Sequence, residues 1–217
     1  SLIYDNKSIN RYKFANNFQT KPSKDKELIE LKENIERIKN CELKKSSKNI
    51  VFSDGNPNAK IMIIGEGPGA NEDLEGMPFI GRAGQLLDKM LLAINLNRDN
   101  VYITNVVNYR PPENRNPSLE EIKRYLPFLT KHIEIINPKI LILLGSTALN
   151  TIIGDQEVIS RARGKWFKKK IGKCNTLVIA SFHPAFLIRQ PGQKAMSWID
   201  LKMIKKKIIE LNIKIEK

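Results

Sequence analysis

Four short runs of apolar residues constrain this chain more than any other feature. They are Lys60–Gly65 (KIMIIG), Val101–Val107 (VYITNVV), Lys139–Gly145 (KILILLG) and Thr176–Ser181 (TLVIAS). A strand with one wet face alternates apolar and polar residues. These runs do not alternate, so both faces must be covered. Helical patterns lie between them. Gly81–Ile94 sets Leu86, Leu87, Met90 and Leu91 on one face, and Ser118 with Glu121 forms a capping box for a helix reaching about Ile136. Ser146–Ile153 reads as a short helix, and Ser197 onward as an amphipathic one with Ile204, Ile208 and Leu211 inward. Gly164–Ser181 reads as a strand pair turning at Gly172–Lys173. Ahead of the first strand, Asp25–Ile38 is helical by the spacing of Leu28, Leu31, Ile35 and Ile38; a linker through Lys44–Lys48 and a turn over Asp54–Asn58 follow. The pattern predicts an α/β fold: a three-layer α/β/α sandwich with a central, mostly parallel four-stranded sheet. Residues 1–24 are expected to form a loosely ordered N-terminal arm, and residues 25–217 one domain with a full-sized core.

Charge narrows the partner. Lys and Arg number 37 against 23 Asp and Glu, a net charge of +14. That favours a polyanion, nucleic acid first, although a general lysine bias gives the same number. No apolar run approaches the roughly 18 residues of a membrane span, and the first twenty residues carry no secretory pattern, so a cytoplasmic protein without membrane contact is expected. Cys41 and Cys174 form no CxxC pair, and His132 and His183 are the two histidines. No metal site is expected from so few soft ligands.

In parallel sheets, ligands sit outside the carboxyl ends of the strands. The loops after Gly65, Thr104 and Ser181 should therefore converge. The first, Gly65-Glu66-Gly67-Pro68-Gly69-Ala70-Asn71-Glu72-Asp73, has a GxG. Pro68 breaks the dinucleotide pattern, and no Gly-Lys-Ser/Thr follows to make a triphosphate loop. A tight turn is the plain alternative. Phe79, in a Pro-Phe between glycines, needs something to pack on; an ordinary core position is its plain reading. Asn105 stands in an apolar strand, where an unpaired amide costs about 1–3 kcal/mol; a structural amide is the bland account. His183 directly follows the last strand, where the fold places ligands, though a lone histidine is usually a satisfied one.

Taken in order, GEGPG with its following Glu72-Asp73, GMPFIGRAGQLL, TNVV, RPPENRNP and HPAFLIR resemble family 4 of the uracil-DNA glycosylase superfamily, over about Val51 to Lys206. The resemblance implies that residues 25–217 are a uracil-DNA glycosylase domain. It implies a monofunctional, monomeric base-excision-repair enzyme that flips uracil out of single- or double-stranded DNA and hydrolyses its N-glycosidic bond, leaving an abasic site. His183 is then the donor at the base oxygen where charge develops. Asn105 can donate to O4 and accept from N3–H, a pattern cytosine mismatches. Phe79 offers a stacking face, and backbone N–H groups around Glu66 and Gly67 can reach O2. By the same resemblance, Glu72 lies at the C5 edge against thymine's methyl, Glu66 holds the water or steadies its loop, and Asn114 supports the pocket. Phe186, Leu187 and Arg189 should meet DNA, by wedging and phosphate contact, and Arg82 is a candidate phosphate contact.

One departure stands out. Family 4 usually carries an iron–sulfur cluster on four cysteines. The matching positions here are Ile38, Cys41, Tyr109 and Tyr125, so Cys41 alone is retained, and Cys174 matches none. Four thiolates hold such a cluster; its absence is expected, with Ile38 and the tyrosines filling the volume. Three other readings are weaker. A non-catalytic DNA sensor does not need Glu66, Phe79, Asn105 and His183 together. The DNA-trapping relatives carry a basic insertion with its own histidine, and Gly65–Leu87 has neither. A nucleotide-binding oxidoreductase lacks its fingerprint.

Overall fold

The computed structural model describes residues 23–215. Helices α1 (Lys24–Glu36) and α2 (Glu42–Ser46) precede strands β1 (Asp54–Gly55) and β2 (Ile61–Gly65). The chain continues through α3 (Ala70–Glu75), α4 (Arg82–Leu92), β3 (Tyr102–Asn105), α5 (Leu119–Ile136) and β4 (Ile140–Leu144). Then come α6 (Ser146–Ile152), α7 (Ile159–Ala162), β5 (Trp166–Ile171), β6 (Cys174–Ser181), α8 (Pro184–Arg189) and α9 (Lys194–Glu210).

The fold is the expected three-layer α/β/α sandwich, but the sheet has six strands rather than four, in the order β1-β3-β2-β4-β6-β5. The four anticipated strands form its parallel centre, with Gly65 opposite Asn105 and Ser181 opposite Leu144. Two antiparallel edges extend it. The turn foreseen over Asp54–Asn58 places Asp54 and Gly55 against Ile103 and Tyr102, and β5 runs back along β6 as the expected hairpin around Gly172–Lys173. Both edge strands escape the apolar-run criterion, because an edge strand is half-wet and β5 spends three positions on lysine.

Both faces of the sheet are dry. Met62, Ile64, Leu141 and Leu143 point into a core shared with α1, α5 and α6, while Ile61, Ile63, Ile140 and Ile142 point into one shared with α4, α8 and α9. Each such side chain contributes about 1.5–3 kcal/mol by burial. The capping box holds: the Ser118 hydroxyl accepts from Glu121 N, the Glu121 carboxylate accepts from Ser118 N at 2.7 Å, and α5 ends at Ile136 with Asn137 in the left-handed region. The linker at Lys44–Lys48 is partly helical, as α2, because Leu43 is wholly buried and draws that segment onto the core. Of the N-terminal arm over residues 1–24, all but Ser23 and Lys24 lies outside the described residues. Lys24 begins α1, and its ammonium reaches the Ile136 carbonyl at 2.9 Å. Among the described residues, no helix is long and apolar enough to cross a membrane.

Candidate active site

The carboxyl ends of β2, β3 and β6 open on a cavity of about 180 Å³. That is below the usual range for ligand pockets, roughly 300–1,000 Å³. Its walls carry Glu66, Gly67, Glu72, Phe79, Asn105, Asn114 and His183, so the three loops do converge. Gly65 explains the closeness of two of them. A Cβ there would lie 2.5 Å from both the Asn105 Oδ1 and the Phe79 ring, so only glycine lets amide and ring meet over the strand end.

Asn105 closes β3 and is 3% exposed. Its Oδ1 is buried and has no hydrogen-bond partner among the described residues. Leaving such an atom unpaired costs about 1–3 kcal/mol, a cost that a bound N–H would remove. Phe79 is buried in the core and also lines the cavity, so packing and ligand contact are not alternatives for it. Its backbone is left-handed at φ +55°, and its ring stacks on that of His183 with centroids 5.6 Å apart.

His183 caps the N-terminus of α8. Its Nδ1 accepts from Ala185 N at 3.1 Å, which leaves the proton of the neutral ring on Nε2. Burial first, and the charge of Arg189 second, push its pKa down to about 4. At neutral pH the ring is therefore an uncharged donor. The strand end behind it is anchored by a buried network. The Ser181 hydroxyl donates to Asp200 at 2.7 Å, and Arg163 pairs with the same carboxylate at 2.5 Å while its guanidinium lies over the Phe182 ring. Burial pushes the Asp200 pKa up against the pull of Ser181 and Arg163.

The two acids are held differently. Glu72 Oε1 accepts from Ile80 N at 3.0 Å and Gly81 N at 2.8 Å, placing negative charge on the opening turn of α4. Glu66 receives the hydroxyl hydrogen bond of Thr147, on α6. Asn114 is left-handed at φ +56° and accepts from Arg110 Nε at 2.8 Å. A second cavity of about 480 Å³ adjoins the first, sharing Glu66, Gly67, Asn114 and His183 and running past Thr147 to Phe186 and Arg189. Arg82 is exposed on the first turn of α4, outside both cavities. Leu187 requires a correction. Expected to meet DNA, it is 1% exposed and packed in the core, because the short α8 turns that side inward while Phe186 and Arg189 line the groove.

Thr147 and Arg115 are wall residues that the sequence reading did not reach. Arg115 is paired bidentately with Glu121 at 2.7 and 2.8 Å, and the bland Gly-Ser-Thr after β4 gave no signal for Thr147. Among the described residues, no group of three or more His, Cys, Asp or Glu is placed to hold a metal.

Three of the four positions of the family's cluster, Cys41, Tyr109 and Tyr125, meet in a buried corner at α5, and Ile38 is half-buried against the same core. The Cys41 Sγ lies 3.4 Å from the Tyr125 hydroxyl, and Tyr109, Tyr125 and Ile38 pack in the same core. Burial pushes the Tyr109 phenol up to about 12 and Tyr125 higher still, so both stay protonated at neutral pH. Cys174 sits in the β5–β6 hairpin with its thiol on the Pro138 carbonyl. One thiol, two neutral phenols and an alkyl chain do not fit a group held by four thiolates.

The parallel sheet thus ends in a small cavity with an amide, an aromatic face and a neutral imidazole on its walls. The sequence model of the uracil DNA glycosylase superfamily matches residues 52–205, and the chain belongs to that superfamily. It is similar to the type-4 uracil-DNA glycosylase of Sulfurisphaera tokodaii, 39% identical over 82% of this chain and 83% of the relative. It is likewise similar to those of Archaeoglobus fulgidus, at 40% over 78% and 87%, and Thermotoga maritima, at 42% over 75% and 84%.

Proposed function

We propose that the protein removes uracil from DNA as a monofunctional glycosylase of base excision repair, through the residues that meet in this cavity. The observation that carries the reading is the buried Asn105 Oδ1, without a hydrogen-bond partner among the described residues, in a cavity that the neutral His183 also lines. Uracil offers an N3–H to that oxygen, and its O4 can accept from the amide nitrogen; cytosine offers neither. The base stacks on Phe79 after extrusion from the helix. Cleavage breaks the bond between sugar C1′ and uracil N1. The electron pair leaves with the base and spreads onto its oxygens, where the His183 Nε2–H donates, with backbone N–H groups near Glu66 and Gly67. Water adds its oxygen to C1′ and releases a proton, giving an abasic site and free uracil. Glu66, steadied by Thr147, orients that water. Glu72 closes the C5 edge against a methyl group, and Asn114 supports the pocket wall.

DNA lies along the adjoining groove, with Phe186 at the wedge position and Arg189 and Arg82 near phosphates; the net charge of +14 favours this polyanion. We further propose a cytoplasmic monomer, acting on single- or double-stranded DNA, that carries no iron–sulfur cluster. The single cysteine among the four cluster positions supports the last point. Alkali-labile breaks at uracil in single- and double-stranded oligonucleotides test the activity; binding without such breaks defeats it. A colourless, iron-free preparation is expected, and a brown protein absorbing near 400 nm defeats the cluster-free reading.

A further inference from the structure

Phe79 holds a conformation that its own sequence does not favour. A bulky residue at φ +55° is strained, at a cost on the order of 1–3 kcal/mol, and persists only where its surroundings fix it. Two features fix it here. Gly84, on α4, is so close that a Cβ would fall inside the Phe79 carbonyl, so the helix is shaved to let that carbonyl past. The second is Arg98, on the segment between α4 and β3. Its guanidinium donates to the Phe79 carbonyl and, at 3.1 Å, to the Pro78 carbonyl. The same group is held from behind by two carboxylates, Asp54 at 2.6 Å and Asp88 at 2.9 Å. Those hydrogen bonds and charges hold its pKa above the ordinary arginine value against the opposing effect of burial.

We infer that Arg98 is a positioning residue for uracil excision: it clamps the Pro78-Phe79 backbone in the strained turn that presents the Phe79 ring to the base. The planar fork matters. Its five N–H groups reach two carbonyls and two carboxylates at once, which a lysine cannot do. Arg98 lines neither cavity, so it acts only through Phe79. The inference rests on the stacking role given to Phe79 under the proposed function.

The test is single-turnover excision from an oligonucleotide bearing one uracil, with Arg98→Ala and Arg98→Lys made alone and in a Phe79→Ala background. A displaced wall should slow the Arg98→Ala step by about tenfold to a hundredfold. Arg98→Lys should recover part of that loss. Affinity for an oligonucleotide carrying a tetrahydrofuran abasic analogue, which has no base to stack, should stay within about twofold. In the Phe79→Ala background the same Arg98 changes should cost less than about twofold, because contacting residues that act as a unit are not additive. An equal loss in both backgrounds overturns the clamp, as does a wild-type rate for both Arg98 variants. If Arg98→Ala does not fold, Arg98→Lys carries the same comparison. A wild-type rate for Phe79→Ala alone instead overturns the stacking reading.

Discussion

The cavity and the corner under α5 use similar residues to opposite ends. In the corner, a thiol and two phenols turn toward one another and toward alkyl chains: Cys41 meets Tyr125, and Tyr109 packs beside them. In the cavity, the Asn105 Oδ1 has no partner among the described residues, Phe79 and Asn114 sit at positive φ, and the pKa of the His183 ring is pushed well below its ordinary value. Polar groups that satisfy each other make structure. Polar groups held apart, at a cost borne by the surrounding fold, keep hydrogen-bonding capacity that a ligand can use.

The comparison can be broken in order of expected effect. Tyr125→Ala should be the largest, destabilising by about 3–5 kcal/mol as a large buried ring is lost. Activity per folded molecule should survive, and chemical denaturation read beside single-turnover rates would separate the two. His183→Ala and Asn105→Ala should reverse that outcome, cutting the rate by about 10²–10³-fold, as removal of a preorganised donor does, with a stability loss for His183→Ala of only about 1 kcal/mol from the lost α8 cap. Asn105→Ala should even melt slightly higher, since it removes an unpaired buried amide. Near wild-type rates for both would dissolve the contrast.

pH sharpens it further. Burial pushes His183 down to about 4 and His132, bonded to the Tyr102 hydroxyl, to about 3. Both folded values lie below the unfolded value of about 6.5. The unfolded chain therefore binds more protons below pH 6.5, and stability should fall as pH drops through that window. The excision rate of folded protein should be flat across 6.5 and fall only toward 4, where protonating Nδ1 breaks the hydrogen bond from Ala185 N that orients the ring. A rate limb centred near 6.5 would contradict the buried neutral ring. The smallest effect is Tyr125→Phe, about 1 kcal/mol for one hydrogen bond to sulfur.

Much of this was legible along the chain, for local reasons. The Ser118–Glu121 box acts over three residues, and the apolar runs declare their burial by composition alone. The candidate site was legible because each of its loops follows a strand. What stayed hidden depends on distance. Arg98 reaches Asp54 across 44 positions and Pro78 across 20, and Thr147 reaches Glu66 across 81. Nothing near any of them in sequence announces the partner. Leu187 failed for a different reason: six residues of helix are too few for periodicity to say which side faces in.

The sheet's two borders have a consequence for the molecule in a crowded solution. An open strand edge is a template on which another chain can add a strand. Here one border is two residues long, and the other displays Lys168 and Lys170 to solvent. A second copy approaching β5 would bring its own lysines against these, and one approaching β1 would find almost no backbone to pair with. Edge pairing is thus disfavoured at both borders of the described sheet, even though the interior strands are among the most apolar segments in the chain.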